Sequence, residues 1–392
     1  MPKQGLFKPP RLRSGEDADT ERHATWLELF YDLVFVAAVA QLATVLGDDY
    51  SWRGAFRFMA LFVPVWWAWV GHTYYLTRFD TEDLGHRLLT MAQMAAAASL
   101  AVHLPGAFGS TATGFALSYA LVRFILVAEY LRAGRYIPLV RPLTTRYALG
   151  FGFAALLWAL SPLVPFPWRF GLLGVALVVD FLTPLTAGQL HLKFPPHLRH
   201  LPERFGLFTI IVIGEAVVGA VMGIGKGGLT LGSGVAGIMG LMVAFALWWG
   251  YFEGAKGAAE RALSARSHVR RYQQWIYSHL PLLMGITATA VGVKHISRLS
   301  PGTALPPSEG WLLSLSVAAS VLALNAIFLA AFSGSTRHLH RYLLPHYVIA
   351  ILGTATGAVS GVLPGIALLG ILTFLCVAQI FFSLREMPTE RT

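Results

Sequence analysis

Long apolar runs, broken by short polar loops rich in Lys and Arg, follow one another from residue 26 to about residue 383 of the 392-residue chain. An α-helix rises about 1.5 Å per residue, so about 20 apolar residues cross a bilayer's hydrocarbon layer. Twelve windows read as such spans, at 26–46, 54–76, 86–104, 111–132, 147–162, 168–190, 205–224, 232–254, 274–292, 311–332, 340–360 and 363–383. The pattern predicts an all-α polytopic membrane protein of about twelve transmembrane helices. A transmembrane barrel is excluded, because its strands alternate in hydrophobicity and run only about 10 residues.

The pattern also repeats. Glu21-Arg22 precedes the first span as Glu203-Arg204 precedes the seventh, an offset of 182 (203 − 21). Trp66-Trp67 in the second span match Trp248-Trp249 in the eighth at the same offset (248 − 66 = 182). The polar, basic loops at 77–87 and 255–271 correspond as well. Six spans per half is an even number, so both halves insert in one orientation, as parallel repeats about an axis along the membrane normal. The expected plan is a disordered polar tail at 1–20, a first six-helix repeat at 21–192 and a cytoplasmic linker at 193–202. A second repeat at 203–384 and a short tail at 385–392 complete it.

Composition sharpens this picture. Charged residues make up 13% of the chain, about half the share of a soluble domain, and the mean hydropathy is +0.59. The net charge of +10 lies in the loops between apolar segments, which points to topogenic charge and not to a nucleic-acid partner. On the twelve-span map, 23 Lys and Arg fall on the side of the termini and 6 on the other, with Arg123 inside a span as the thirtieth. That asymmetry predicts an inner-membrane protein with both termini in the cytoplasm. The residues before Trp26 lack the apolar core of a signal peptide, so the first span serves as its own insertion signal. Cys376 is the single cysteine, which excludes disulfides and cysteine-built metal sites.

The candidate chemistry is the set of ionisable residues inside the spans. A charge at mid-membrane costs roughly 2.5–3.5 kcal/mol on insertion scales, so such residues face the bundle interior and pair there. Glu28 and Asp32 stand four apart on one face of the first span. Arg123, Asp180 and Glu215 fall near the middle of their spans, and Glu129, His72, Glu253, His279 and His346 are secondary candidates. These residues could bind a cation or relay protons. Alternatively, Arg123 neutralises Asp32 or Asp180 and simply holds two helices in register, Glu28 holds a neighbouring helix end, and Glu253 and His72 snorkel at the interface. Trp67 and Trp249 belong to aromatic clusters that either line a cavity or pack. The histidines His191, His197 and His200 match no closed zinc pattern, and with Pro195, Pro196 and Pro202 they read as a stiff linker. No cofactor or metal is expected.

Two stretches carry a family resemblance. WLELFYDLVFVAAVAQLA, from Trp26, and HLPERFGLFTIIVIGEAVVG, from His200 to Gly219, resemble the two distinctive segments of the bacterial low temperature requirement A family. A more distant similarity links the first helix to six-span potassium-permeable channels that open with Arg, three residues, then Phe-Ser-Asp. Here Arg22 precedes Trp26-Leu27-Glu28 and Arg204 precedes Phe208-Thr209-Ile210. The residues matching the channels' apolar constriction are Leu33 and Glu215, and a carboxylate there departs from the channel pattern.

The reading reached from sequence favours a transporter or channel-like protein over an enzyme, moving an ion or small solute between two halves. Asp32 and Glu215 are its principal polar residues, with Glu28, Asp180 and Arg123 in support. The alternatives are a membrane-embedded enzyme acting on a lipid or isoprenoid, or a sensor or scaffold without turnover. The expected partners are the bilayer and the small ion or solute, and oligomerisation is left open.

Overall fold

The computed structural model describes residues 8–13, 24–80, 83–195, 197, 200–227, 230–253, 269–332 and 336–386. Twelve long helices and a short one stand among them. The first six are α1 (Trp26–Asp48), α2 (Trp52–Arg78), α3 (Leu84–His103), α4 (Ala112–Tyr136), α5 (Arg141–Leu160) and α6 (Trp168–Leu185). After the short α7 (Gly188–Lys193) come α8 (His200–Gly227), α9 (Leu231–Phe252), α10 (Val269–Ile296), α11 (Pro307–Ala331), α12 (Thr336–Ala355) and α13 (Gly365–Glu386). Each long helix falls on one expected span. Eleven helices among the described residues are long and apolar enough to cross a membrane, and the chain is a multi-pass membrane protein. The exception is α3, which carries His86, Arg87, Thr90 and Gln93. Gln93 is buried, and its Nε2 donates to the Val122 carbonyl of α4 at 3.1 Å.

The chain divides into two compact units, 1–42 with 61–205, and 43–60 with 206–392. In the first unit α3 packs on α4, α4 on α5 and α5 on α6. Its aromatic core sets Tyr130 edge-on to both Tyr75 and Tyr147, at 5.3 and 5.1 Å between ring centroids. In the second unit α10 packs on α11, α11 on α12, α12 on α13, and α9 on α13. Lengths correspond across the halves. Helices α4 and α11 both have 25 residues, α5 and α12 both have 20, and both pairs are offset by 195 (307 − 112, 336 − 141). The rise from the earlier offset of 182 falls mostly in the connection after α9, 16 residues (253–268) against five after α2 (79–83).

Part of the expected disordered tail is packed. Arg11–Leu12 pair antiparallel with Phe79–Asp80 beyond the end of α2. The Lys8 amide donates to Asp83 Oδ2 at 3.3 Å, and Arg132 Nη2 reaches both the Lys8 carbonyl (2.9 Å) and Asp83 Oδ2 (2.7 Å). Asp83 also caps α3, accepting from the Gly85 and His86 amides. One carboxylate thus ties the N-terminal strand, α3 and α4 together, which a polar composition alone does not reveal. The linker is likewise packed on the end of α2: Arg78 Nε donates to the Phe194 carbonyl and the His197 amide to the Thr77 carbonyl, both at 3.0 Å. Residues 1–7 and 14–20 of the expected tail, the Glu21-Arg22 marker, the loop at 254–268 and residues 387–392 lie outside the described residues.

Two predictions follow from these contacts. A Cβ on Gly285 of α10 would collide with Ser320 Oγ and stand 2.8 Å from the Ser316 carbonyl of α11, where backbone cannot yield. Gly285→Ala should cost about 1–3 kcal/mol by overpacking. Gly302→Ala, with nothing within 4 Å, should be neutral in the same thermal melts. Burial raises the Asp83 carboxyl, but hydrogen bonds from Arg132, the His86 amide and the Lys8 amide outweigh it and hold the group below the ordinary aspartate range. Its stabilisation is therefore complete above the unfolded-state pKa and disappears as pH falls through the lower folded value. Asp83→Asn should be less stable by about 1–2 kcal/mol at neutral pH. The gap should close in strong acid, and a gap unchanged by pH in detergent melts would contradict this.

Candidate functional site

The ionisable residues of the first unit form three buried clusters. In the first, the N-terminal turns of α1 and α8 lie side by side. Glu28 Oε2 accepts from His200 Nε2 at 2.8 Å, and Asp32 Oδ1 accepts from Arg204 Nη2 at 2.7 Å. Both pairs are separated by 172 residues, so a one-turn step along α1 matches a one-turn step along α8, and the two turns run parallel. Arg204 Nε lies 3.8 Å from Glu28, cross-bracing the ladder. Trp69 of α2 donates its indole N–H to Asp32 Oδ1 at 2.7 Å, and Phe205 meets that indole edge-on. All four ladder residues are buried. The network is incomplete: Asp32 Oδ2 and Arg204 Nη1 have no hydrogen-bond partner among the described residues.

The second cluster joins α2, α3 and α4. His72 Nδ1 faces Glu129 Oε2 at 3.2 Å, and His86 Nδ1 lies 3.9 Å from Glu129 Oε1. Tyr31 of α1 covers His72, with ring centroids 4.3 Å apart. The third cluster joins α4 to α6. Arg123 Nε donates to Asp180 Oδ2 at 2.8 Å, and the Tyr119 hydroxyl donates to the same oxygen at 2.5 Å. Arg123 also donates to Tyr119 Oη at 2.7 Å and lies 5.5 Å from the Phe151 ring centre. Of the two carboxylates expected to neutralise Arg123, the structure selects Asp180. Trp67 is buried beside this cluster, stacked on Phe181 at 4.0 Å.

The remaining candidates lie in the second unit. Glu215 is half-buried on α8, with Lys294 of α10 as its charge neighbour. His279 and His346 each donate Nδ1–H to the carbonyl four residues earlier, at 2.7 and 2.6 Å. Their Nε2 atoms face hydroxyls, Tyr251 Oη at 3.0 Å and Ser383 Oγ at 3.1 Å. Glu253 ends α9 half-exposed, and Trp249 packs against Phe245 and Trp248. His200, Arg204, Trp69, His86 and Tyr119 are the residues that sequence reasoning passed over. A readable signal existed for two of them. The basic pair His200 and Arg204 shares the four-residue spacing of Glu28 and Asp32.

Residues 23–381 match the family described as bacterial low temperature requirement A protein (LtrA). An uncharacterized protein of Rhizobium meliloti (strain 1021) is 29% identical over 306 residues, covering 71% of this chain and 73% of its own.

Removing one partner of a buried ion pair leaves an uncompensated charge, at about 3–5 kcal/mol. Arg204→Met should therefore destabilise the protein by about that amount, because it strands Asp32. Adding Asp32→Asn should recover a large part of the loss, since neither charge then remains. Chemical denaturation of the two variants in detergent measures the difference, and an additive double variant would contradict the pairing.

Proposed function

The chain belongs to the bacterial low temperature requirement A family, and from that premise we propose that it is a transporter or channel-like protein for an ion or small solute. The observation that carries this reading is the α1–α8 ladder. The two segments characteristic of the family supply its acids and its bases, 172 residues apart, and join them in a buried site. Among the described residues Asp32 Oδ2 and Arg204 Nη1 have no hydrogen-bond partner, as is also true of Asp180 Oδ1 and Arg123 Nη1. In this reading the α1–α8 pair is the one that takes a polar solute or ion, because the two family segments converge on it.

In this reading Asp32 and Arg204 bind, and Glu28 with His200 holds Arg204 in place. Trp69 fixes the carboxylate's orientation. Arg123 and Asp180 neutralise each other and keep α4 on α6, while Glu215 contributes a second acidic position on α8. Matched helix lengths and matched neighbour order support two parallel six-helix halves. The Lys and Arg asymmetry of 23 to 6 supports the inner membrane, with both termini cytoplasmic.

Flux of monovalent cations and of small charged solutes into proteoliposomes tests the proposal. Asp32→Asn should reduce flux per folded molecule at least tenfold, over and above its cost in stability. Glu215→Gln should have a smaller effect. Wild-type flux in a folded Asp32→Asn variant would refute the assignment.

A further inference from the structure

We propose that His72, Glu129 and His86 form a proton-binding site, and that the solute or ion moved by this protein travels coupled to protons. The second clause rests on the transport reading above, whereas the first stands without it.

Three other buried or capping carboxylates of the first unit each have a guanidinium in contact: Asp32 has Arg204, Asp180 has Arg123 and Asp83 has Arg132. Glu129 does not. It is fully buried, no guanidinium among the described residues lies within 4.0 Å of it, and its ion-pair partners are the imidazoles of His72 and His86. With both rings neutral and Glu129 ionised, the cluster would hold an uncompensated negative charge inside the membrane, a state of high cost. One added proton neutralises it, whether carried on the carboxyl or on a ring. Imidazoles exchange protons near neutral pH, so this neutralising charge can come and go, unlike the permanent charge of arginine. Among the described residues His72 Nε2, His86 Nδ1 and Glu129 Oε1 have no hydrogen-bond partner, so each is a position that can take the proton without breaking a hydrogen bond.

The surroundings frame the site electrostatically. On α1, Tyr31 covers His72, and its field includes Glu129, Asp32, Arg204 and Arg123. On α3, His86 senses Asp83 and Arg132 as well as Glu129 and His72. Asp83 and His86 are three residues apart at the start of α3, and so are Glu129 and Arg132 on α4. The Asp83–Arg132 pair therefore lies one turn from the cluster, toward the loop between α2 and α3. A proton from water on that side passes Asp83, reaches His86 and is held by Glu129 and His72. Only O–H and N–H bonds form and break.

The test uses the purified full-length protein in detergent, with pH steps followed by infrared difference spectroscopy of carboxyl and imidazole bands. Wild type should take up one proton at the cluster, Glu129→Gln should lose that signal, and Glu129→Asp should retain it at a shifted midpoint. An identical pH-difference spectrum in folded Glu129→Gln would overturn the proton site. Should Glu129→Gln not fold, His86→Gln replaces it: a shifted midpoint supports the site and an unchanged one overturns it. In proteoliposomes, an imposed pH gradient should drive flux in wild type and not in Glu129→Gln. Flux indifferent to both would overturn the coupling. A proton signal lost in Glu129→Gln, with no flux in any protein, would overturn coupling and the transport reading while leaving the proton site standing.

Discussion

Hydrocarbon cannot solvate charge, and the buried acids described in the first unit are placed to meet that constraint. Four acids of the first unit, Glu28, Asp32, Glu129 and Asp180, are all buried, and each has a basic group in contact. The contacts fix the packing as much as the packing fixes them. Glu28 and Asp32 bring the start of α8 against α1, Asp180 brings α6 against α4, and Asp83 fastens the N-terminal strand to α3 and α4. Apolar burial gives little guidance here, because lipid tails are as apolar as leucine. Polar pairing and small residues such as Gly285 decide which helices touch.

The kind of base differs among the acids, and that difference has consequences. Asp180 meets a guanidinium and a phenol that bind one of its oxygens together, a fixed arrangement suited to holding helices. Asp32 meets a guanidinium and an indole on one oxygen, and in both acids the second oxygen has no hydrogen-bond partner among the described residues. Glu129 meets only imidazoles, whose charge depends on pH. The first unit thus holds two acids against permanent guanidinium charges and one against imidazoles. Tyr31 lies in the field of charged residues from all three clusters, Glu129, Asp32, Arg204 and Arg123.

Much of this was legible in sequence. Helix number and placement followed from run length and hydropathy, and the burial of Asp32, Asp180 and Arg123 followed from the cost of charge in lipid. Fragments were misread where local composition was a poor guide. Residues 8–13 look like a polar tail, yet strand pairing and Asp83 hold them in place. His200 and Arg204 look like the end of a basic linker, yet they are buried opposite the two acids of α1.

The sequence by itself determined that the chain is a multi-pass helical membrane protein, because hydrophobic periodicity and span length are local properties that need no partner. It also determined which side chains require neutralisation, because that cost depends only on depth and charge. Only the tertiary structure decided who neutralises whom. Pairing across 172 residues depends on how α8 returns to α1, and no property of either segment alone specifies that return. The choice of Asp180 over Asp32 for Arg123, and of imidazoles over a guanidinium for Glu129, was settled by the same long-range packing.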